Sequence, residues 1–140
     1  MKKFVRTVFI SFTIWVAASL VNAALISVWS MFISRYSGER LPIVLAIGCS
    51  LVFSIPAIFI FWIFFIANYR EEGLFQLLLR TALFTSLFSA LIVFGVINRG
   101  FKRENYWFVL FAVTAAIISV MAHRSFIYNI VNENKTQTDV

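Results

Sequence analysis

The stretch that decides the fold is NYREEGLFQLLLRTALF, residues 68–84. It carries four charged side chains, whereas residues 41–67 before it and 85–97 after it carry none. A short charged segment between two long apolar runs is typical of a loop that joins two membrane-spanning helices. The stretch therefore predicts a helical membrane protein, and it also predicts that polar chemistry is concentrated at one end of the helices.

The composition favours lipid as the surroundings of the chain. Hydrophobic residues make up 61% of it and charged residues 13%, against about 45–50% and about 25% in soluble domains. The net charge of +6 comes from basic residues at the ends of the apolar runs. That pattern suits membrane lipids and topology control rather than a nucleic-acid surface.

Four apolar runs are each long enough for a transmembrane helix, which needs about 20 residues. They cover about 7–33, 41–67, 74–97 and 106–130. Short loops between them predict an all-α, up-down antiparallel four-helix bundle, a single domain over 1–130 with a disordered polar tail at 131–140. The start resembles a signal peptide, but the first apolar run continues to Ile33, so we expect an uncleaved first span.

The distribution of basic residues predicts the orientation. With the N-terminus, the loop at 68–73 and the tail on one side, that side has seven basic residues and the other side has five. Because basic residues favour the cytoplasmic side, we expect both termini in the cytoplasm. The short loops and the Met-Lys-Lys start are in the style of a bacterial inner-membrane protein.

A charged layer is predicted on the side of the termini. Arg80 lies roughly 9 Å into its helix, and Arg124 lies at a similar depth from the end of the last span. The layer consists of Arg70, Glu71, Glu72, Gln76, Arg80, His123 and Arg124. It predicts a docking surface for a partner protein or an anionic lipid, although arginine side chains that reach up to the headgroups would explain the same pattern.

Two residues stand out near the centres of the spans. Asn22 needs a hydrogen-bond partner in lipid, so we expect an interhelical bond or, in an oligomer, a pore lining. Pro56 should kink the second span, as a fixed bend or as a hinge. No Asp, Glu, Lys or Arg lies near a span centre, which argues against a proton- or cation-coupled transporter.

Catalytic, metal and cofactor sites are not predicted. The chain has one His and one Cys, too few for a metal centre built from these ligands. Its paired carboxylates are the adjacent Glu71 and Glu72, whose side chains diverge around a helix. No nucleophile has an identifiable base, so we expect a protein that is not an enzyme.

These observations predict a small non-enzymatic membrane protein that acts as a scaffold, sensor or immunity-type accessory subunit. Small residues recur at intervals of four on every span, which favours close helix packing and a homo-oligomer. The charged layer would bind the protein partner at the cytoplasmic face. The alternative is an oligomeric ion channel or small-solute transporter. Asn22, Pro56 and the Ser and Thr members of these small-residue stripes, such as Ser54 and Ser89, would line the path.

Overall fold

The computed structural model describes residues 2–37, 43–71, 73–93 and 105–138, with side chains at 4–32, 47–48, 50–71, 73–93 and 106–133. These residues form six helices: α1 Lys2–Ser37, α2 Ile43–Phe53, α3 Ile55–Ala67, α4 Leu74–Ile92, α5 Asn105–Ala122 and α6 Arg124–Thr138. All the described secondary structure is therefore helical.

Two of these helices, α1 and α4, are long and apolar enough to cross a membrane. A third candidate span appears if α5 and α6 count as one span with a bend of 49°. These candidates rest on length and composition within the described residues. They give a helical protein with two to three candidate membrane spans, which agrees with the membrane character predicted from the sequence.

The predicted second span is divided in the structure. α2 and α3 are 11 and 13 residues long and are separated by Ser54, two residues before Pro56. Proline cannot donate the backbone hydrogen bond to the residue four positions earlier, and its ring crowds that carbonyl. The helical hydrogen bonding is disturbed only locally. The Ser54 N–H still bonds the Ser50 carbonyl at 3.3 Å, and the Ile58 N–H bonds the Ser54 carbonyl at 3.1 Å.

The predicted fourth span is also interrupted, at His123. The His123 N–H is shared between the carbonyls of Ser119 and Val120, each at 3.2 Å, and its ring Nδ1 lies 2.8 Å from the Ser119 carbonyl. A side chain that competes for a helix carbonyl disturbs the regular ladder, and the axis bends there.

α6 then continues to Thr138, so residues 131–138 are helical where the sequence predicted a disordered tail. Ile130 and Val131 pack into the core, and this packing anchors the helix from which the polar end extends. In the third span, α4 ends at Ile92 and residues 94–97 lie outside the described residues.

The helices pack in a ring in which α1 contacts α3 and α5, and α4 contacts the same two helices. α2 packs mainly against α1. Large aromatic side chains point outward, with Phe84 66% and Phe88 67% exposed. An outer surface of this kind is suited to lipid contact.

The tight core lies where the end of α3, the start of α4 and α6 meet α1. Phe65, Leu74, Leu78, Ile127 and Ile130 are each 0% exposed there. We call this group, with the neighbours that pack on it, the core cluster. Gln76, Arg80 and Arg124 belong to the same helical segments, so the core cluster supports the predicted charged layer from below.

Candidate functional site

Arg124 is the member of the charged layer with the most defined surroundings. Its guanidinium carbon lies 5.6 Å from the ring centre of Phe75 and 5.1 Å from that of Tyr128. The two rings stack on each other with centroids 5.6 Å apart. Because cation–π contacts act within about 6 Å, this arrangement fixes the position of an exposed cation and links α4 to α6.

Four other members of the charged layer are exposed without such partners. Arg70, Glu71, Gln76 and Arg80 form no hydrogen bond or ion pair with another described side chain, and all four are exposed. Glu72 lies outside the described residues. The structure thus places these groups on the surface, and no described contact joins Arg80 to Arg124.

His123 is half-buried at the bend between α5 and α6. Its Nδ1 lies against the Ser119 carbonyl, and its ring is tilted against Phe126 with centroids 6.2 Å apart. No group of three or more His, Cys, Asp or Glu side chains comes together in the described part of the chain. The contacts of His123 among the described residues are therefore those that shape the bend between α5 and α6.

An ion pair between Arg6 and Glu133 joins α1 to α6 beside the charged layer. Both side chains are partly exposed, 34% for Arg6 and 61% for Glu133, and Tyr69 also interacts with Arg6. Exposed ion pairs contribute only about 0.2–1 kcal/mol. The pair thus sets the position of α6 more than it stabilises the whole fold.

A second polar group, the hydroxyl network, lies in the interior around the break between α2 and α3. The indole N–H of Trp15 donates to Ser54 Oγ at 2.7 Å, and Ser19 Oγ lies 3.5 Å from the same oxygen. Asn22 Nδ2 donates to Ser50 Oγ at 3.0 Å. Asn22 thus has the interhelical hydrogen bond that the sequence predicted, and its partner lies on α2.

α4 reaches the same region through Ser89. Its hydroxyl donates to the Phe53 carbonyl at 2.9 Å. Ser54, just after Phe53, interrupts the helix, and the side chain of Ser54 in turn donates to carbonyls of the preceding turn. Polar side chains of α1 and α4 therefore stabilise the disturbed turn from two sides, as broken helices in lipid require.

A cavity of about 370 Å³ adjoins the hydroxyl network. Its walls come from α1, α2, α3, α4 and α5, and they are mainly apolar. The polar side chains on its wall are Ser11, Trp15, Ser19, Asn22, Ser50, Ser54, Thr85, Ser86 and Ser89. The predicted pore residue Asn22 thus faces a partly open cavity whose described walls belong to one chain.

Asn22 and Ser11 line the cavity, and each has a polar atom that is buried without a partner among the described residues: Asn22 Oδ1 and Ser11 Oγ. A buried polar atom without a partner typically costs about 1–3 kcal/mol. Such a cost at the wall of a cavity marks this position as a candidate binding site.

Sequence reasoning found Asn22 and placed Ser54 and Ser89 among the small residues that would pack helices or line a path. It missed Trp15, the hydrogen bonds of these two serines and the cavity. The available signal was the hydroxyl side chains near Pro56 in the second span, since a broken helix needs added donors and acceptors. The residues on α1 and α4 that supply them depend on how the helices are aligned, which the sequence pattern does not contain.

No family model matches this chain, and neither the curated proteins nor the solved structures contain a match.

Proposed function

We propose that the chain is a non-enzymatic integral membrane protein whose charged layer docks an acidic segment of a partner protein. In this proposal it crosses the membrane four times as an up-down antiparallel bundle and serves as an accessory subunit, sensor or immunity-type protein. The observation that carries the proposal is Arg124, held on the stacked rings of Phe75 and Tyr128 and yet exposed.

Rigidity supports a docking role for this end of the molecule. Phe75 packs against the core cluster, so the aromatic base beneath Arg124 is anchored in the best-packed region. A cation that is already positioned loses less conformational entropy on binding than a free side chain. The charged layer holds three arginines against two glutamates, and this net positive charge favours an acidic partner through electrostatic complementarity.

Chain lengths support four crossings. α2, Ser54 and α3 together run from Ile43 to Ala67, roughly 37 Å at 1.5 Å per residue, which exceeds the roughly 30 Å of bilayer hydrocarbon. Both termini would then lie on one side, and the excess of basic residues there favours the cytoplasm, in the bacterial inner membrane.

Co-purification from the native membrane tests the docking role. R80E and R124E should each reduce recovery of the partner by about tenfold, since reversal of a charge at a complementary contact costs on the order of 1–2 kcal/mol. K102E is the matched control, because it reverses one basic charge in the loop predicted at the opposite end. Equal recovery from R80E, R124E and the wild type would contradict the proposal.

Self-association is part of the same proposal and is tested on the same preparation. A native mass that is a multiple of the 16.1 kDa chain supports a homo-oligomer, and a single chain contradicts it. Several small residues that favoured an oligomer are buried inside one chain, among them Ser19, Ala23 and Ser27. Contacts between copies would therefore use the exposed aromatic faces.

The cavity favours a second candidate function, a small-solute transporter or channel. Asn22 and the serines beside the α2–α3 break line a space in the middle of the bundle, and a proline-associated break can serve as a hinge. Solute flux into liposomes that falls with N22L would support this function. Silent liposomes with correctly inserted protein would count against it.

A further inference from the structure

The cavity has the composition of a small-molecule site. Its volume of about 370 Å³ lies within the roughly 300–1,000 Å³ of ligand pockets, which are mostly apolar with a few placed polar groups. Apolar side chains such as Ile14, Ile58 and Phe61 form most of its wall, and Asn22 and Ser50 form a polar patch on it.

The Asn22 amide has one hydrogen-bonding atom without a partner in the described part of the chain. Its Nδ2 is bonded to Ser50 Oγ, whereas its Oδ1 is buried without a partner among the described residues. A rotation of the amide by half a turn would exchange the two atoms and leave the NH₂ group unbonded instead. A hydroxyl group both donates and accepts, so it satisfies Asn22 in either orientation.

Charge narrows the ligand class further. None of the described residues that line the cavity is charged. A carboxylate, phosphate or ammonium group would therefore be buried without a counter-ion, which is strongly unfavourable. A neutral hydroxyl has no such penalty, and the apolar wall accommodates a hydrocarbon body.

We propose that the cavity binds an apolar alcohol from the bilayer, with the hydroxyl against the Asn22 amide and the hydrocarbon along the apolar wall. A volume of about 370 Å³ lies at the lower end of the range of ligand pockets. The ligand would accordingly be a small one, such as an alcohol with a medium-length hydrocarbon chain. This site is separate from the charged layer and does not depend on the docking proposal.

Photo-crosslinking in proteoliposomes of the full chain tests the site. The probes are a diazirine-bearing dodecanol and the diazirine-bearing dodecane of equal length, with the cross-links mapped by peptide mass spectrometry. The alcohol should label the segments around Asn22 and Ser50 about two- to tenfold more than the alkane, as one added hydrogen bond allows. Both probes should label the outward-facing Phe84 and Phe88 alike.

Two variants make the test decisive. N22L keeps a side chain of similar size without the amide, so the excess labelling by the alcohol should disappear while surface labelling stays. A112F fills the cavity, so both probes should lose the internal cross-links. Equal internal labelling of the wild type by the two probes, or an excess that survives N22L, would overturn the proposal. The comparison of the wild type with N22L is enough to support or overturn the proposal, so the conclusion does not depend on the folding of A112F.

Discussion

Trp15 and Trp62 are both half-buried tryptophans, and they differ in what their indole N–H groups meet. The Trp15 N–H donates to Ser54 at 2.7 Å, whereas the Trp62 N–H is buried without a partner among the described residues. A satisfied buried donor stabilises a fold, and an unsatisfied one destabilises it. The indole N–H therefore raises the free energy of unfolding at position 15 and lowers it at position 62.

Phenylalanine substitutions should reveal this difference. W15F loses a hydrogen bond and leaves Ser54 with one donor fewer, so we expect a lower free energy of unfolding. W62F removes an unsatisfied donor and keeps a ring near Phe4, its edge-to-face neighbour at 5.5 Å. The loss for W15F should exceed that for W62F by about 1 kcal/mol, measured by denaturant unfolding in micelles. Equal losses would contradict the assignment of the two indoles.

At the scale of the element, the helix pair α2–α3 is stabilised from outside. Proline accounts for the interruption, because it has no N–H for the Val52 carbonyl. Ser89 bonds the neighbouring Phe53 carbonyl across the helix interface. Ser86, one turn earlier on α4, instead donates to the Leu83 carbonyl of its own helix at 3.0 Å. The two serines line the same cavity but only one of them connects two helices.

Alanine substitutions of these serines form a matched pair. S89A should release α2 from α4, and amide hydrogen exchange over residues 51–58 should accelerate about fivefold, as the loss of about 1 kcal/mol implies. S86A should leave that exchange unchanged, because its hydroxyl serves its own helix. Acceleration of similar size in both variants would show that the Ser89 bond does not hold the break.

At the scale of the whole molecule, packing and polarity divide the bundle along its length. The core cluster lies towards the end where the charged layer is exposed. The cavity adjoins it, since Ile14, Phe61 and Ala82 belong to both. The exposed aromatic side chains around the outside leave lipid as the matching environment. Such a division suits the two proposals, a packed end that presents the charged layer and an adjoining internal site.

Cysteine labelling tests the proposed four crossings. In a C49S background, single cysteines at Gly73 and Asn134 should react with an impermeant reagent from the same side of the membrane. Cysteines at Gly38 and Gly100 should react from the other side. Gly73 accepts a side chain, since nothing lies within 4 Å of an added Cβ. Reaction of Gly73 and Gly100 from one side would rule out the four-span bundle.

The sequence alone determined the helical membrane character, because apolar runs of the required length between short charged segments have few other stable forms. It also determined that Asn22 needs a hydrogen-bond partner and that the helix around Pro56 is disturbed. These results depend on residue chemistry and local spacing.

Only the tertiary structure decided which helices supply the missing partners. Three hydrogen bonds depend on helix alignment: Asn22 to Ser50, Trp15 to Ser54 and Ser89 to the Phe53 carbonyl. The cavity between the helices depends on it as well. The bend at His123 is different, because its contact with the Ser119 carbonyl is local, four residues back along the chain. Long-range alignment is set by the packing of all helices together, and a linear pattern of apolar residues does not encode it.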